Sequence, residues 1–111
     1  MYREDYLLRF VKQLAAALAR VAGLRKSGEH EQALQEIQET WDELLGMPPG
    51  LFESMSADAL TAILGSPEKA RAVASLLHEE AAVLRTLGRS EAAERKERLA
   101  KELGATTKTT S

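Results

Sequence analysis

Apolar residues repeat with a helical period along the first quarter of the chain. One stripe has a 4-3-4-3 spacing and consists of Leu7, Val11, Leu14, Leu18 and Val21. Further apolar residues on both sides widen it to an arc of about 200°, whereas a surface helix usually shows about 100°. The pattern predicts a helix over 2–26 that packs against neighbours on two sides. It should stop at Ser27-Gly28, because glycine fits the left-handed cap position.

The next pattern is that of a simpler amphipathic helix. Its apolar face consists of Ala33, Leu34, Ile37, Thr40, Trp41, Leu44 and Leu45, and the opposite face is Glu, Gln or Asp. We expect this helix to begin near Glu29 or Glu31 and to end at Leu45-Gly46. The sequence at 47–50, Met-Pro-Pro-Gly, cannot continue a helix, because proline lacks the backbone donor.

Two serines mark the starts of the next helices, after a segment at 51–55 that should be irregular. Ser56 is placed to N-cap a short helix over 57–64 that ends at Gly65. The sequence at 66–68, Ser-Pro-Glu, offers an N-cap, a first-turn proline and an acid that suits the helix dipole. A fourth helix should therefore begin there, run to Leu87 and stop at Gly88.

A fifth helix is predicted from Ser90, as its N-cap, through Leu103 to Gly104. Residues 105–111 are rich in threonine and lack an apolar period, so we expect a disordered tail. Strand-forming residues are few throughout the chain. The prediction is an all-α fold, a compact bundle of about five helices (four long, one short) in a single domain over 1–104.

Composition narrows the class of protein. The chain has 111 residues, no cysteine and a formal net charge of −2, with 44% hydrophobic residues. These values exclude a disulfide framework and thiolate metal sites, and they do not favour nucleic-acid binding. The N-terminal residues alternate charged and apolar positions, unlike a signal peptide, and no apolar run approaches about 18 residues. We therefore expect a cytoplasmic protein.

Two turns share one sequence pattern, in which a helix ends on glycine and alanine follows five positions later. These pairs are Gly28 with Ala33 and Gly88 with Ala93. The first turn resembles that of a tetratricopeptide repeat, since it carries in order Gly28, Glu29, His30, Ala33, Leu34 and Ile37. The second matches only at Gly88, Ala93 and Ala100. The two glycines are 60 positions apart rather than about 34, so the resemblance implies antiparallel hairpins but no regular array.

The opening at residues 1–9, MYREDYLLR, followed by the hairpin at Gly28, is similar to a bacterial family of short helical proteins of unknown function. That resemblance covers most of the chain and implies no activity.

Residues that could carry catalysis are sparse. The two histidines are His30 and His78, and the sequence at 78–82, His-Glu-Glu-Ala-Ala, lacks the second histidine that a zinc-protease helix presents at i+4. No glycine-rich loop is followed by Lys and Ser or Thr. We therefore expect no catalytic site, no metal and no cofactor.

Glu80 falls inside the apolar arc of the fourth helix, and a buried unpaired carboxylate would cost several kcal/mol. One interpretation is an intramolecular pair with Arg25 or Arg20, since Arg25 also intrudes on an apolar face. A second is a polar position in a groove or interface. The third, an acid catalyst, lacks an obvious second carboxylate.

Tyr2, Tyr6 and Phe10 lie four residues apart on one edge of the first helix. They belong either to the core or to a surface for a partner or a second copy. Charge is also segregated, because 28–58 is acidic without Lys or Arg while 1–27 is mainly basic. This pattern indicates either neighbouring helices that attract each other or an acidic docking face for a basic partner.

The sequence thus favours a non-enzymatic protein-protein interaction module, an adaptor or scaffold with a protein partner. A homodimer is also expected as a possibility, because the fifth helix has few large residues with which to bury itself. The alternative is a peripheral membrane adaptor that lays its basic, amphipathic first helix on anionic lipid. Against that alternative, the core needs the apolar arc of the same helix.

Overall fold

The computed structural model describes residues 2–46, 51 and 54–109, and the side chains of 5–46, 51 and 54–104 among them. This part of the chain is helical and contains no strand. The helices are α1 (Tyr2–Lys26), α2 (His30–Thr40), α3 (Ala57–Leu64), α4 (Pro67–Thr86) and α5 (Ser90–Thr109). A π-helical turn, Trp41–Leu45, continues α2. The predicted all-α bundle is confirmed, with α3 as its short helix.

The turns after α1 and α4 have the same backbone geometry. Gly28 and Gly88 adopt left-handed φ angles of 82° and 80°. The next residue of each turn donates its N–H back to the preceding helix, from Glu29 to the Leu24 carbonyl at 2.8 Å and from Arg89 to the Leu84 carbonyl at 2.9 Å. This six-to-one bond is that of a Schellman motif. The repeated sequence pattern therefore encodes a repeated turn.

Substituting two glycines of the first hairpin should change stability in opposite directions. We expect Gly28→Ala to lower the free energy of unfolding by about 1 kcal/mol, because an L side chain disfavours the left-handed conformation. Gly23 lies within α1, where an added Cβ meets nothing within 4 Å. Gly23→Ala should therefore raise the free energy of unfolding by about 0.5–1 kcal/mol. Urea denaturation measures both, and a loss of stability in Gly23→Ala would contradict the prediction.

The helix starts follow the serines that the sequence singles out. The hydroxyl oxygen of Ser56 accepts the Ala59 N–H, and that of Ser66 accepts the Lys69 N–H, each at 3.1 Å. Gly65 ends α3 with a φ of 82°. Both predicted caps are confirmed.

The predicted bounds of α5 are wrong at both ends. Ser90 is the first helical residue rather than the cap, and the helix continues through Gly104 to Thr109. Gly104 is not among the glycines with positive φ, so it does not turn the chain as Gly88 does. The division into a domain at 1–104 and a disordered tail at 105–111 stays a prediction.

The core is centred on α4, which packs against the other four helices. The α4 face that is buried consists of Ala70, Val73, Leu76, Leu77, Glu80, Ala81, Val83 and Leu84. Trp41 and Ile37 enter from the α2 side, and Leu103 enters from α5. Among the described side chains of α1, only Leu14, Ala17 and Val21 are fully buried. The apolar arc of α1 is therefore wider than the face that the bundle covers.

Candidate functional site

The uncovered side of α1 forms one wall of an open groove of about 860 Å³. The α4 helix lies at the bottom, and α5 forms the opposite wall. We call this surface the alanine groove, because small residues line it on all three helices. Its lining consists of Ala15, Leu18, Ala19, Ala22 and Arg25 of α1, Ala74, Ser75, His78 and Glu79 of α4, and Glu97, Ala100 and Lys101 of α5.

The α1 wall follows from the sequence pattern of that helix. Leu8, Ala15 and Ala22 are spaced by seven residues and so lie along one face. Leu8 is 57% exposed and Ala15 is exposed, whereas the core side of α1 is covered by α2 and α4. The sequence predicts that α1 packs against neighbours on two sides. In the structure its neighbours α2 and α4 cover the core side, whereas the side that carries Leu8 faces solvent.

Two side-chain pairs hold the three helices of the groove together. Arg25 Nη1 donates to Glu79 Oε2 at 2.8 Å, which links α1 to α4. His78 Nδ1 lies 2.8 Å from Glu97 Oε2, which links α4 to α5. Both pairs lie among the lining residues, so they contribute polar groups to the surface of the groove.

Glu80 lies outside this groove, in the interior of the bundle. Its side chain is 5% exposed, as is that of Lys96 on α5. The Trp41 indole Nε1–H donates to Glu80 Oε1 at 3.1 Å, and the Lys96 ammonium lies 3.7 Å from the same oxygen. The carboxylate thus has an indole donor from the π turn after α2 and a cation from α5.

The intramolecular interpretation of Glu80 therefore agrees with the structure, but both predicted partners are wrong. Arg25 pairs with Glu79, and Arg20 pairs with Glu36 of α2. The reason is helical geometry, because adjacent residues point about 100° apart. Glu79 points toward α1, whereas Glu80 points toward α2 and α5.

Lys96 is the residue that sequence reasoning missed, and a signal for it exists. It precedes Leu99 by three positions and Leu103 by seven, so it lies on the apolar face of α5. A lysine there needs a buried acid, as the glutamate on α4 needs a buried cation. Because Glu80 and Lys96 each lie on an apolar helix face and have opposite charge, the sequence contains the information needed to predict their pairing.

The aromatic edge of α1 divides between core and surface. Phe10 is half-buried against the core, and the Lys69 ammonium lies 5.0 Å from the centre of its ring. Tyr6 is 70% exposed. Tyr2 is the first residue of α1, and its side chain lies outside the described residues. The core interpretation thus applies to Phe10, whereas Tyr6 lies at the surface, and its role in an interface stays a prediction.

Some of the segregated charges form ion pairs between neighbouring helices. The Arg20–Glu36 pair joins basic α1 to acidic α2, and the Arg89 guanidinium lies 3.7 Å from Glu31. The second contact ties the turn after α4 to the start of α2. The Arg20–Glu36 pair supports the interpretation that the two oppositely charged segments attract each other within one chain, whereas Arg89 lies outside the basic segment.

The histidines lie apart from one another, His30 at the start of α2 and His78 in α4. His30 is half-buried, and its Nδ1 makes no hydrogen bond to a described residue. Among the described residues, no group of three His, Asp or Glu side chains is arranged to hold a metal ion.

No helix in the described ranges is both long and apolar enough to cross a bilayer. The membrane-surface hypothesis stays a prediction. The face of α1 that it would use is reduced, because Leu14, Ala17 and Val21 pack in the core.

No family model, curated protein or solved structure matches the chain. The tetratricopeptide resemblance therefore rests on the two turns alone.

Proposed function

We propose that this protein is a non-enzymatic interaction module that binds a helix of a partner protein in the alanine groove. The observation that carries the proposal is the second apolar stripe of α1, the row of Leu8, Ala15 and Ala22, of which Ala15 and Ala22 line an open groove of about 860 Å³. The stripe has the period of a helix packing surface, and no helix among the described residues covers it.

The small side chains explain why the occupant is a helix. Helix axes pack 8–10 Å apart, depending on the side chains at the contact, and alanine permits the close end of that range. Exposed Ala15 and Ala19 on α1 face the half-buried Ala74 on α4 and the buried Ala100 on α5. An amphipathic helix that lays its apolar residues between these walls uses a common mode of peptide recognition.

A small molecule fits this surface less well. Ligand pockets enclose most of their ligand and converge a few polar groups on it. The alanine groove is open along its length, and its polar groups are engaged in the Arg25–Glu79 and His78–Glu97 pairs. Lys101 remains at the rim, where it can contact an acidic residue of the partner helix.

The hairpin architecture supports the same proposal. The α1–α2 and α4–α5 hairpins are closed by the same turn, and the first helix of each, α1 or α4, lines the groove. Stacked helical hairpins of repeat proteins present concave binding surfaces in this way. Tetratricopeptide-like hairpins are thus part of the proposal.

A bulky charge inside the groove should weaken partner binding. We expect Ala19→Arg to reduce capture of the partner about tenfold or more, because the long side chain fills the space between the walls. Ala16→Arg is the matched control, since Ala16 is an exposed alanine of α1 that does not line this groove. The measurement is affinity capture from cells that make the protein, with quantitative mass spectrometry.

The proposal is supported if one captured protein binds equally to wild type and to Ala16→Arg but is lost from Ala19→Arg. If every captured protein is retained equally by the two arginine variants, the alanine groove is not the binding surface.

A further inference from the structure

A second groove, of about 410 Å³, lies on another flank of α1, near its start. It is bounded by α1, the π turn after α2, and the end of α3. We call it the Tyr6 groove. Its apolar lining consists of Tyr6, Phe10, Leu44, Leu45, Ile63 and Leu64.

Two of these side chains are large, apolar and exposed. Tyr6 is 70% exposed and Ile63 is 58% exposed, although they belong to helices far apart in sequence. Single exposed apolar residues are ordinary, but two beside one groove form a patch of the kind that marks an interaction surface. Tyrosine is also enriched at protein interfaces.

The charges beside this patch have both signs. Arg9 and Glu43 line the groove, and neither makes an ion pair with a described residue. Lys69 also lines it, but its ammonium lies over the Phe10 ring. Among the described residues, the patch is therefore bordered by one cation and one carboxylate without an ion-pair partner.

This combination points to a second copy of the same chain. An interface with two-fold symmetry brings one patch against itself, so the patch must carry both members of each contact. A uniformly acidic partner would leave Glu43 opposed by like charge, and a uniformly basic partner would do the same to Arg9. A second copy satisfies both charges and covers Tyr6 and Ile63 as well.

We propose that two copies of this protein associate through the Tyr6 groove as a symmetric dimer. In it, Arg9 of each copy pairs with Glu43 of the other, around a centre formed by Tyr6 and Ile63. The alanine groove stays open, so the dimer does not depend on the proposed function.

Sedimentation velocity over a concentration series tests the dimer. We expect wild type to move from monomer to dimer as concentration rises, and Ile63→Asp to stay monomeric with an unchanged helical circular dichroism spectrum. Arg9→Glu and Glu43→Arg should each raise the dimer dissociation constant about tenfold or more, because each places like charges across the interface twice. Lys12→Glu is the matched control, an exposed cation of α1 that does not line this groove. It should leave the constant unchanged.

The double variant Arg9→Glu with Glu43→Arg tests whether these two side chains pair across the dimer interface. It exchanges the two charges, so the dimer should return to within about threefold of the wild-type constant if they meet across the interface. A wild type that is monomeric at every concentration overturns the proposal. A dimer that Ile63→Asp leaves intact, or a double variant no better than the single ones, overturns it too.

Discussion

We expect replacement of Glu80 by leucine to lower the free energy of unfolding by about 3–5 kcal/mol, because it leaves the buried Lys96 ammonium without this carboxylate. It also removes the acceptor of the Trp41 indole N–H. Glu80→Gln should cost less, since its amide oxygen still accepts that hydrogen bond although the opposite charge is lost. Urea denaturation followed by circular dichroism measures both changes.

A double variant separates the pair from the packing around it. Glu80→Leu combined with Lys96→Leu should recover most of the lost stability, because a well-packed apolar pair often equals or exceeds a buried ion pair. Glu94→Leu, at an exposed position of α5, is the control, with an expected change within about 0.5 kcal/mol. A double variant as unstable as Glu80→Leu would show that the ion pair is not the cause of the loss.

Substitution of Trp41 should cause the second large loss of stability. Trp41 is the largest fully buried side chain among the described residues, and it is the single tryptophan of the chain. We expect Trp41→Ala to cost about 3–5 kcal/mol through the cavity that it leaves. Domains of this size have a total stability of about 5–15 kcal/mol, so this variant can approach complete unfolding.

Trp41→Phe keeps the prediction measurable. It retains most of the ring volume but removes the hydrogen bond to Glu80, for an expected loss of about 1–3 kcal/mol. Leu8→Ala, at a largely exposed position, should change stability by less than about 0.5 kcal/mol. Thermal unfolding followed by circular dichroism compares the three variants, and equal melting of Trp41→Phe and Leu8→Ala would contradict the role of the indole.

Local chemistry explains which elements the sequence predicts well. The bounds of α3 follow from a serine cap and a left-handed glycine, Ser56 and Gly65, which act within one turn of the helix. The end of α1 follows in the same way from Gly28. These signals need no knowledge of the remaining fold.

The end of α5 could not be predicted by the same rule. A glycine inside a helix costs about 1 kcal/mol relative to alanine, which neighbouring residues can offset. Gly28 and Gly88 end their helices where the chain turns back to pack against the preceding helix. Gly104 has no positive φ, and α5 continues through it to Thr109.

The environment of Glu80 and the alanine groove depend on the arrangement of helices. A helical wheel places Glu80 among apolar residues, but the choice of partner depends on which helix lies on which side of α4. The groove requires α1, α4 and α5 to contribute residues to one surface. Periodicity shows that α1 has a second apolar stripe but not whether another helix covers it.

The position of the two grooves along α1 has a consequence for affinity. Tyr6 and Ala19 are separated by about 20 Å along the helix axis, on different flanks. If copies join through the Tyr6 groove, each dimer presents two alanine grooves, and each of these can bind a helix. A partner with two such helices on a linker of matching reach would then gain avidity, by a factor of about 10²–10⁴ over a single contact. A partner that binds weakly to one alanine groove would then dissociate more slowly from the dimer, because it is held at two sites.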